Sequence, residues 1–181
     1  SWRRLRNLSF LQVVKMLILA SSSPQRKALL KQIGIDPIVV PSEIPEEVEG
    51  NNVRGDITLL AKQKLEAVLS SLLTSPEIAG ELKEPCWIIA ADTVVVCKEE
   101  VFGKPEDESD AKRMLSSLSG TRHSVLTAVH ISRLCRSSEN LVEDSRAEIA
   151  ETYVDFISMN PADITWYLFT EEWRGAAGGY R

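Results

Sequence analysis

Cysteine is scarce in this sequence, and its placement limits its role. The three cysteines are far apart and form no CxxC pair: Cys86, Cys97 and Cys135. An odd, scattered set argues against a disulfide framework and against a zinc site, because both need paired or clustered thiols. Free cysteine usually behaves as a small apolar side chain. We therefore expect buried, inert thiols and a location in the reducing cytoplasm.

Long apolar runs and an excess of positive charge are also missing. No apolar run approaches the ~20 residues that a membrane-spanning helix needs. The formal net charge is -5, whereas binding along a nucleic-acid backbone needs a basic face. The sequence therefore predicts neither a membrane nor a nucleic acid as partner. A small phosphorylated ligand stays open, since it needs only a local basic cluster.

Several familiar motifs are absent as well. The chain contains no GxxxxGK[ST], no HExxH and no CxxC sequence, which argues against P-loop nucleotide hydrolases, zinc proteases and zinc fingers. It does contain 44% hydrophobic and 26% charged residues over 181 positions. That composition is typical of one folded domain rather than of a disordered chain.

Short apolar runs and capped amphipathic segments follow one another in the order β-α-β-α-β-β-α-β-β-α. Either Asp107 or Ser109 is the predicted cap of the third helix. This order predicts an α/β fold with a mixed sheet. The predicted strands are 16–20, 38–40, 87–96, 101–102, 124–132 and 147–156, and the predicted helices are 24–32, 56–73, one ending before Gly120 and one starting at Asn160-Pro161.

The two ends of the chain differ from its middle. Residues 1–15 are rich in arginine and contain no acidic residue, as in a transit peptide. We favour the alternative that Met16 is the natural start, because a strand begins there. The sequence thus predicts a non-native or disordered extension at 1–15 and a domain at 16–181. The closing Gly178-Gly179-Tyr180-Arg181 predicts a loop, so we expect this domain to lack its last strands.

A hydroxyl-rich turn, SSSPQRK at positions 21–27, lies between the first strand and the first helix. The N–H groups at a helix N-terminus form an anion site. The serine hydroxyls and Arg26 add donors for phosphate oxygens. The alternative interpretation is that Ser23 only caps the helix and that Arg26 is a solvated surface residue.

Asp92 interrupts an otherwise apolar strand, IIAADTVVV. A buried acid is unfavourable unless its charge is paired, hydrogen-bonded or bound to a metal. Asp92 is therefore a candidate metal ligand or general base. The alternative is an aspartate at the end of a strand that accepts backbone hydrogen bonds.

Two lysines are candidate phosphate ligands. Lys104 lies in the rigid turn FGKP, which can aim it at an anion, although a turn lysine is usually solvated. On the long helix, one of Lys62 and Lys64 is expected to face the site. An ordinary solvated helix face is the favoured interpretation for Lys62.

An acidic loop with Glu43, Glu46 and Glu47 offers a carboxylate for a metal, or else is simply solvated. Together the candidates supply phosphate donors, two or three cations and two carboxylates. That set suits metal-assisted attack of water on a phosphate chain. In such a site Asp92 would activate water or hold the metal.

These stretches resemble the Maf family of nucleoside triphosphate pyrophosphatases, relatives of the septum-formation inhibitor. The resemblance covers Met16 to Tyr180. The matching stretches, in order and at family-like spacing, are LILASSSPQRKALL, PSEIPEE, LAKQK, IIAADTVVV, FGKP and MLSSLSGTRHSVLTAV.

The resemblance implies a two-lobed α/β fold like that of the inosine triphosphate pyrophosphatases, with the substrate in the cleft between the lobes. It implies hydrolysis of nucleoside triphosphates, among them dTTP, UTP and modified pyrimidine nucleotides, to the monophosphate and pyrophosphate. This is a house-cleaning activity with a link to cell-division arrest. The resemblance also implies Mg²⁺ or Mn²⁺ dependence, a homodimer and a cytoplasmic location.

Residue roles are carried over by position. Thr93 is implied to set base preference, since similar members with Asp-Thr act on pyrimidine nucleotides and those preferring 7-methyl-GTP usually carry Gln there. The implied substrate-binding set is Ser21, Ser23, Gln25, Arg26 and Thr93. The implied catalytic set is Asp92, Lys64, Lys104 and Glu46, with Glu46 and Asp92 as the metal ligands.

Two stretches depart from the family pattern. Gln25 stands where the family usually has the first Arg of SPRR, which removes one cation. Positions 175–180 read GAAGGY, where the family usually has DKAGAY followed by a Gln-containing motif and further strands. These departures leave a second hypothesis, a catalytically weakened nucleotide-binding module or inactive fragment.

Overall fold

The structure is a computed structural model that describes residues 16–46, 48, 52–74, 85–137 and 140–181, with side chains described in all of these except 135–137 and 140–143. The predicted extension at 1–15 lies outside these ranges, as do Glu47 and the side chain of Cys135. Within them the predicted order of elements is confirmed. The elements are β1 (Met16–Leu19), α1 (Pro24–Gln32), β2 (Ile38–Val39), α2 (Val53–Thr74), β3 (Cys86–Cys97), β4 (Glu100–Phe102), α3 (Glu108–Leu118), β5 (Arg122–Ser137), β6 (Asn140–Asp155), α4 (Pro161–Phe169) and a 3-10 turn (Ala177–Gly179).

The strands form one six-stranded mixed sheet in the order β2-β1-β3-β5-β6, with β4 paired to β3. β1 runs parallel to β2 and to β3, whereas β4 runs antiparallel to β3. Ile18 of β1 pairs with Ile38 on one side and with Ile88 on the other. The α/β fold with a mixed sheet is therefore confirmed.

The end of β1 lies beside the middle of β3. Leu19 pairs with Ile89, and the N–H of Ala20 donates to the carbonyl of Ile89 at 2.8 Å. Because the two strands are parallel, the turn that follows β1 leaves the sheet next to the residues that follow Ile89. This register places the turn that follows β1 beside Ala90 and Ala91 of β3.

The chain divides into two compact units. The first holds the described residues up to Ile44 and those within 61–91 and 129–147, and the second holds those within 45–60, 92–128 and 148–181. One apolar cluster of the first unit includes Ile18, Leu65 and Ile88. The second unit has a cluster that includes Val95, Phe102, Met114 and Leu118, and another that includes Leu115, Ile164 and Trp173. The two units agree with a two-lobed chain, and the cleft stays a prediction.

The predicted inert thiols are confirmed where side chains are described. Cys86 and Cys97 are 1% and 4% exposed and form no disulfide. Burial raises the pKa of the Cys86 thiol to about 11. A thiol with such a pKa stays protonated at neutral pH, so it is a poor nucleophile and a poor metal ligand.

Helix α2 begins three residues earlier than predicted. It begins at Val53, because the Asn52 side chain accepts the N–H of Gly55 at 3.3 Å in the manner of an N-cap. Its buried stripe follows the helical spacing of Ile57, Leu60 and Lys64, whereas Leu59 is 53% exposed.

The remaining differences concern α3, β5 and β6. Asp107, not Ser109, caps α3 and accepts the N–H of Asp110 at 2.8 Å. β5 and β6 are sixteen residues each, longer than predicted. β6 is an edge strand with mostly exposed side chains, so it lacks the apolar alternation that marks a half-buried strand. No helix among the described residues has the length and apolarity required to span a membrane.

Candidate active site

The turn after β1 is built around the start of α1. Ser23 is the N-cap, and its hydroxyl accepts the N–H of Arg26 at 3.4 Å, while Pro24 occupies the first turn. The N–H of Ser23 in turn donates to Ser21 Oγ at 3.2 Å, and Ser23 Oγ donates to Gln25 Oε1 at 3.1 Å. The capping interpretation of Ser23 is thus correct. It is compatible with anion binding, because capping leaves other N–H groups of the first turn pointing outward.

Arg26 is not the solvated surface residue of the alternative interpretation. Its Nη1 donates to Ser21 Oγ at 3.0 Å and to the carbonyl of Ala91 at 2.8 Å. Ser21 is 8% exposed, and Ala91 lies in β3. The guanidinium therefore fixes the serine turn to the central strand and brings a permanent positive charge to it.

Asp92 directly follows Ala91 and is 4% exposed. The predicted strand at 87–96 with Asp92 inside it is confirmed, and the alternative of an aspartate at the end of a strand is wrong. β3 runs without a break from Cys86 to Cys97, with Asp92 near its middle. Hydrogen bonding to neighbouring strands holds the backbone extended whatever the side chain is. A buried carboxylate on a central strand has the fixed position that a functional acid needs.

The two lysines of α2 differ sharply in their surroundings. Lys64 is 3% exposed, whereas the Lys62 side chain is 52% exposed and pairs with Glu66 at 3.4 Å, one helical turn further on. A lysine is almost never fully buried unless its charge is paired. The prediction of a solvated Lys62 is confirmed, and Lys64 is the lysine that the helix turns inward.

Lys104 and Glu46 form an ion pair. Lys104 Nζ lies 2.6 Å from Glu46 Oε2, with side chains 48% and 35% exposed. The alternative interpretation from the sequence was that each side chain is simply solvated. In the structure the two candidates are in contact. Both belong to the second unit, and Glu46 lies against the turn that follows β4.

Thr93, the candidate for base preference, is hydrogen-bonded to a neighbour. Its Oγ1 lies 3.0 Å from Thr127 Oγ1 of β5. Thr127 was not among the sequence candidates, because only the pairing of β3 with β5 reveals it. The bond fixes the rotamer of Thr93, which is the state a specificity contact requires.

The candidate metal ligands are two carboxylates, Glu46 and Asp92. Within the described ranges, no group of three or more His, Cys, Asp and Glu side chains is placed to hold a metal ion. Mg²⁺ is commonly held by one or two carboxylates together with phosphates of the substrate. The two side chains are of the donor type that such a cation needs, and a metal held by them stays a prediction.

A buried polar cluster escaped the sequence reasoning. His123 is 3% exposed, and its Nε2 lies 2.7 Å from the hydroxyl of Tyr180. Both rings make edge contacts with Phe156, at centroid distances of 4.9 and 4.7 Å. Burial raises the pKa of Tyr180 to about 12. His123 and Tyr180 are far apart in the sequence, and no local pattern predicts that they are in contact.

We expect His123 to make the protein less stable in mild acid. Burial lowers the pKa of His123 below 6.5, although the Thr121 backbone and the charge of Asp155 oppose this. Between the folded and unfolded pKa values the unfolded chain binds more protons, so the free energy of unfolding falls as pH drops through this range. Urea denaturation between about pH 7.5 and about pH 5.5 measures the slope. His123→Gln should give a shallower slope, and equal slopes would contradict the prediction.

The fold and these side chains define a class: an α/β protein with anion donors at a helix N-terminus and a buried carboxylate on its central strand. Residues 16–181 match the family model described as "Maf-like protein". A dTTP/UTP pyrophosphatase of Anaeromyxobacter sp. (strain Fw109-5) is 39% identical over 165 residues, which cover 91% of this chain and 72% of that protein. Proteins of the same name from Agathobacter rectalis and Zymomonas mobilis are each 37% identical, over 92% and 91% of this chain and 81% and 73% of their own. This chain belongs to the Maf-like family.

Proposed function

We propose that this protein hydrolyses nucleoside triphosphates to the monophosphate and pyrophosphate, with dTTP, UTP and modified pyrimidine nucleotides as substrates. The observation that carries the proposal is the hydrogen bond from Arg26 to the carbonyl of Ala91. It ties a phosphate-binding turn to the residue immediately before the buried Asp92. The name shared by the three relatives, dTTP/UTP pyrophosphatase, supports both the reaction and the preference for pyrimidines.

The turn after β1 binds the phosphate chain. Ser21, Ser23 and the N–H groups at the start of α1 donate hydrogen bonds to phosphate oxygens, and Arg26 neutralises part of their charge. The bond from Arg26 to Ser21 orients the serine before any ligand arrives. Orientation in advance lowers the entropy lost on binding.

Asp92 takes a proton from the attacking water. Hydrolysis breaks the oxygen bridge between the α- and β-phosphates, adds the hydroxyl of water to one side and leaves pyrophosphate on the other. Asp92 is suited to this role because β3 holds its carboxylate in a fixed, buried position. General-base catalysis depends on such placement.

Lys64 and Lys104 stabilise the negative charge that develops on the phosphates. Lys64 acts from a buried position, where its charge is screened little by water. Lys104 acts from the turn after β4, where Glu46 holds its ammonium group in place.

A divalent cation, Mg²⁺ or Mn²⁺, binds together with the substrate. Glu46 and Asp92 are the residues that would hold it. When bound, such an ion screens the phosphate charges and polarises a phosphoryl oxygen. The support is chemical, since carboxylate oxygens are the protein ligands that these hard cations prefer.

Thr93 and Gln25 contribute to the choice of substrate. Thr93 is held by Thr127 and presents a small side chain next to Asp92. Gln25 stands beside Ser23 and carries no charge, so the phosphate turn holds one cation fewer than the usual family pattern. We expect this to weaken binding of the phosphates without changing the reaction.

Pyrophosphate release from dTTP, UTP, CTP and 7-methyl-GTP, measured with Mg²⁺, tests the proposal. We expect turnover of dTTP and UTP and little of 7-methyl-GTP. Calorimetry on the same panel separates the alternatives. Binding of dTTP without turnover would favour a nucleotide-binding module, and neither binding nor turnover would refute the proposal.

We further propose a homodimer that resides in the cytoplasm. The exposed apolar side chains of Trp166 and Phe169 on α4, 70% and 89% exposed, support self-association, because apolar patches on a surface mark interaction sites. The reduced thiols Cys86 and Cys97 support a reducing compartment. Sedimentation equilibrium measures the mass of the assembly directly.

A further inference from the structure

We propose that the 3-10 turn Ala177–Gly179 is a positioning element for Lys104. The inference rests on the role of Lys104 in the proposed function. Its first support is a backbone hydrogen bond, in which the N–H of Gly178 donates to the carbonyl of Gly103 at 2.9 Å. Gly103 directly precedes Lys104, so this bond fixes the peptide group from which the lysine departs.

A backbone contact at Gly103 places the turn that carries Lys104, in addition to the ion pair of Lys104 with Glu46. Gly103 has no side chain, and a Cβ built there would meet no atom within 4 Å. The space into which a side chain at position 103 would project is therefore open. Lys104 itself has a long, flexible stem. A hydrogen bond to the Gly103 carbonyl is thus a direct way to limit where the ammonium group reaches.

Gly178 also packs against the hairpin formed by β3 and β4. A Cβ at Gly178 would lie 2.8 Å from Val95 Cγ2 and 3.1 Å from Val95 Cβ. Val95 pairs with Phe102, the last residue of β4 before the Lys104 turn. Gly178 therefore contacts the hairpin at its open end, where Val95 and Gly103 both lie, and no larger residue fits there without a shift of Val95.

Tyr180 holds the 3-10 turn in place. Its ring joins the apolar cluster of Val95, Phe102 and Met114, and its hydroxyl lies 2.7 Å from His123 Nε2. This anchor follows the two glycines with positive φ, Gly178 at 70° and Gly179 at 73°. Such backbone conformations are accessible to glycine at little cost. The segment is therefore a shaped and anchored support rather than a passing loop.

The test compares two glycines that share a backbone conformation. Gly175 has φ of 69°, like Gly178, but a Cβ there would meet no atom within 4 Å. Gly175→Ala therefore controls for the strain of a positive φ. We expect Gly178→Ala to lower kcat for pyrophosphate release from dTTP on the order of 10²-fold, since small misplacements of reacting groups have such effects. Gly175→Ala should stay close to the parent protein.

A double-mutant cycle separates positioning from general loss of stability. If Gly178 acts through Lys104, Gly178→Ala should cause little further loss of kcat once Lys104→Ala is present. If Gly178→Ala caused only a structural defect, it would lower kcat by the same factor in the parent protein and in Lys104→Ala. That result would overturn the inference. Should Gly178→Ala fail to fold, Tyr180→Phe keeps the ring and removes the hydroxyl, and it enters the same cycle with a smaller expected loss.

Failure of the proposed function is distinguishable from failure of the inference. Full activity of Lys104→Ala would refute the role of Lys104, and the inference with it. If Lys104→Ala lowers activity but Gly178→Ala and Gly175→Ala have equal rates, the inference is refuted and the role of Lys104 stands. A readout independent of turnover is the amide resonance of Lys104 in ¹⁵N-labelled protein. It should shift in Gly178→Ala and not in Gly175→Ala, and the opposite pattern would contradict the positioning role.

Discussion

Asp92→Asn is expected to lower kcat for pyrophosphate release from dTTP by on the order of 10²- to 10⁴-fold, the usual contribution of a general acid or base. The amide has nearly the shape of the carboxylate, so the strand and its packing are retained. It has neither the negative charge nor the basicity to accept a proton from water. Steady-state rates at saturating dTTP with Mg²⁺ give kcat directly.

An exposed aspartate provides the matched control for this substitution. The Asp36 side chain is 75% exposed and pairs with Lys31 at 3.2 Å on the surface. Asp36→Asn makes the same chemical change away from the site and should leave kcat unchanged. Equal rates for Asp92→Asn and the parent protein would show that Asp92 is not the base. Asp92 could then contribute only to nucleotide binding.

Ile88→Ala is expected to cause the largest loss of stability that we predict, about 2–5 kcal/mol in the free energy of unfolding. Ile88 is 0% exposed, lies in β3 next to β1 and belongs to the apolar cluster of the first unit. Removing its side chain loses the transfer free energy of three carbon atoms and leaves a cavity that the sheet cannot close. Urea denaturation followed by circular dichroism measures the change.

The same sheet contains its own control. Ile38 and Ile88 pair in register with the same residue, Ile18, from opposite sides. Ile38, however, is 49% exposed. Ile38→Ala should therefore cost about 1 kcal/mol or less, because half of its surface is already in water. Similar losses for the two variants would mean that Ile88 does not belong to a close-packed core.

Much of the fold was predictable because it depends on local signals. The apolar run at 16–20, the Ser23-Pro24 start of α1 and the Asn160-Pro161 start of α4 are short-range patterns, and the structure confirms each. β6 was predicted too short because an exposed edge strand carries little apolar pattern. Pairing with β5 defines it, and pairing is not a local property.

The same difference between local patterns and long-range contacts applies to the candidate site. Sequence patterns marked Arg26, Asp92 and Lys104 as candidates, but the contacts of Arg26 and Lys104 reach far along the chain. Arg26 contacts Ala91 across 65 positions, and Lys104 contacts Glu46 across 58. Lys62 and Lys64 lie on different faces of the helix because two residues separate them. The favoured interpretation of Lys62 as solvated is confirmed, and the burial of Lys64 shows which lysine faces inward.

Neither compact unit can form before most of the chain has been synthesised. Each unit draws on three separate stretches, and the first is incomplete until position 147 has left the ribosome, the second later still. A nascent chain must therefore hold β1 without its neighbour β3 until synthesis has reached Cys97. Contacts between distant positions also close slowly. Because the stretches of the two units alternate along the chain, no single cut separates one unit from the other.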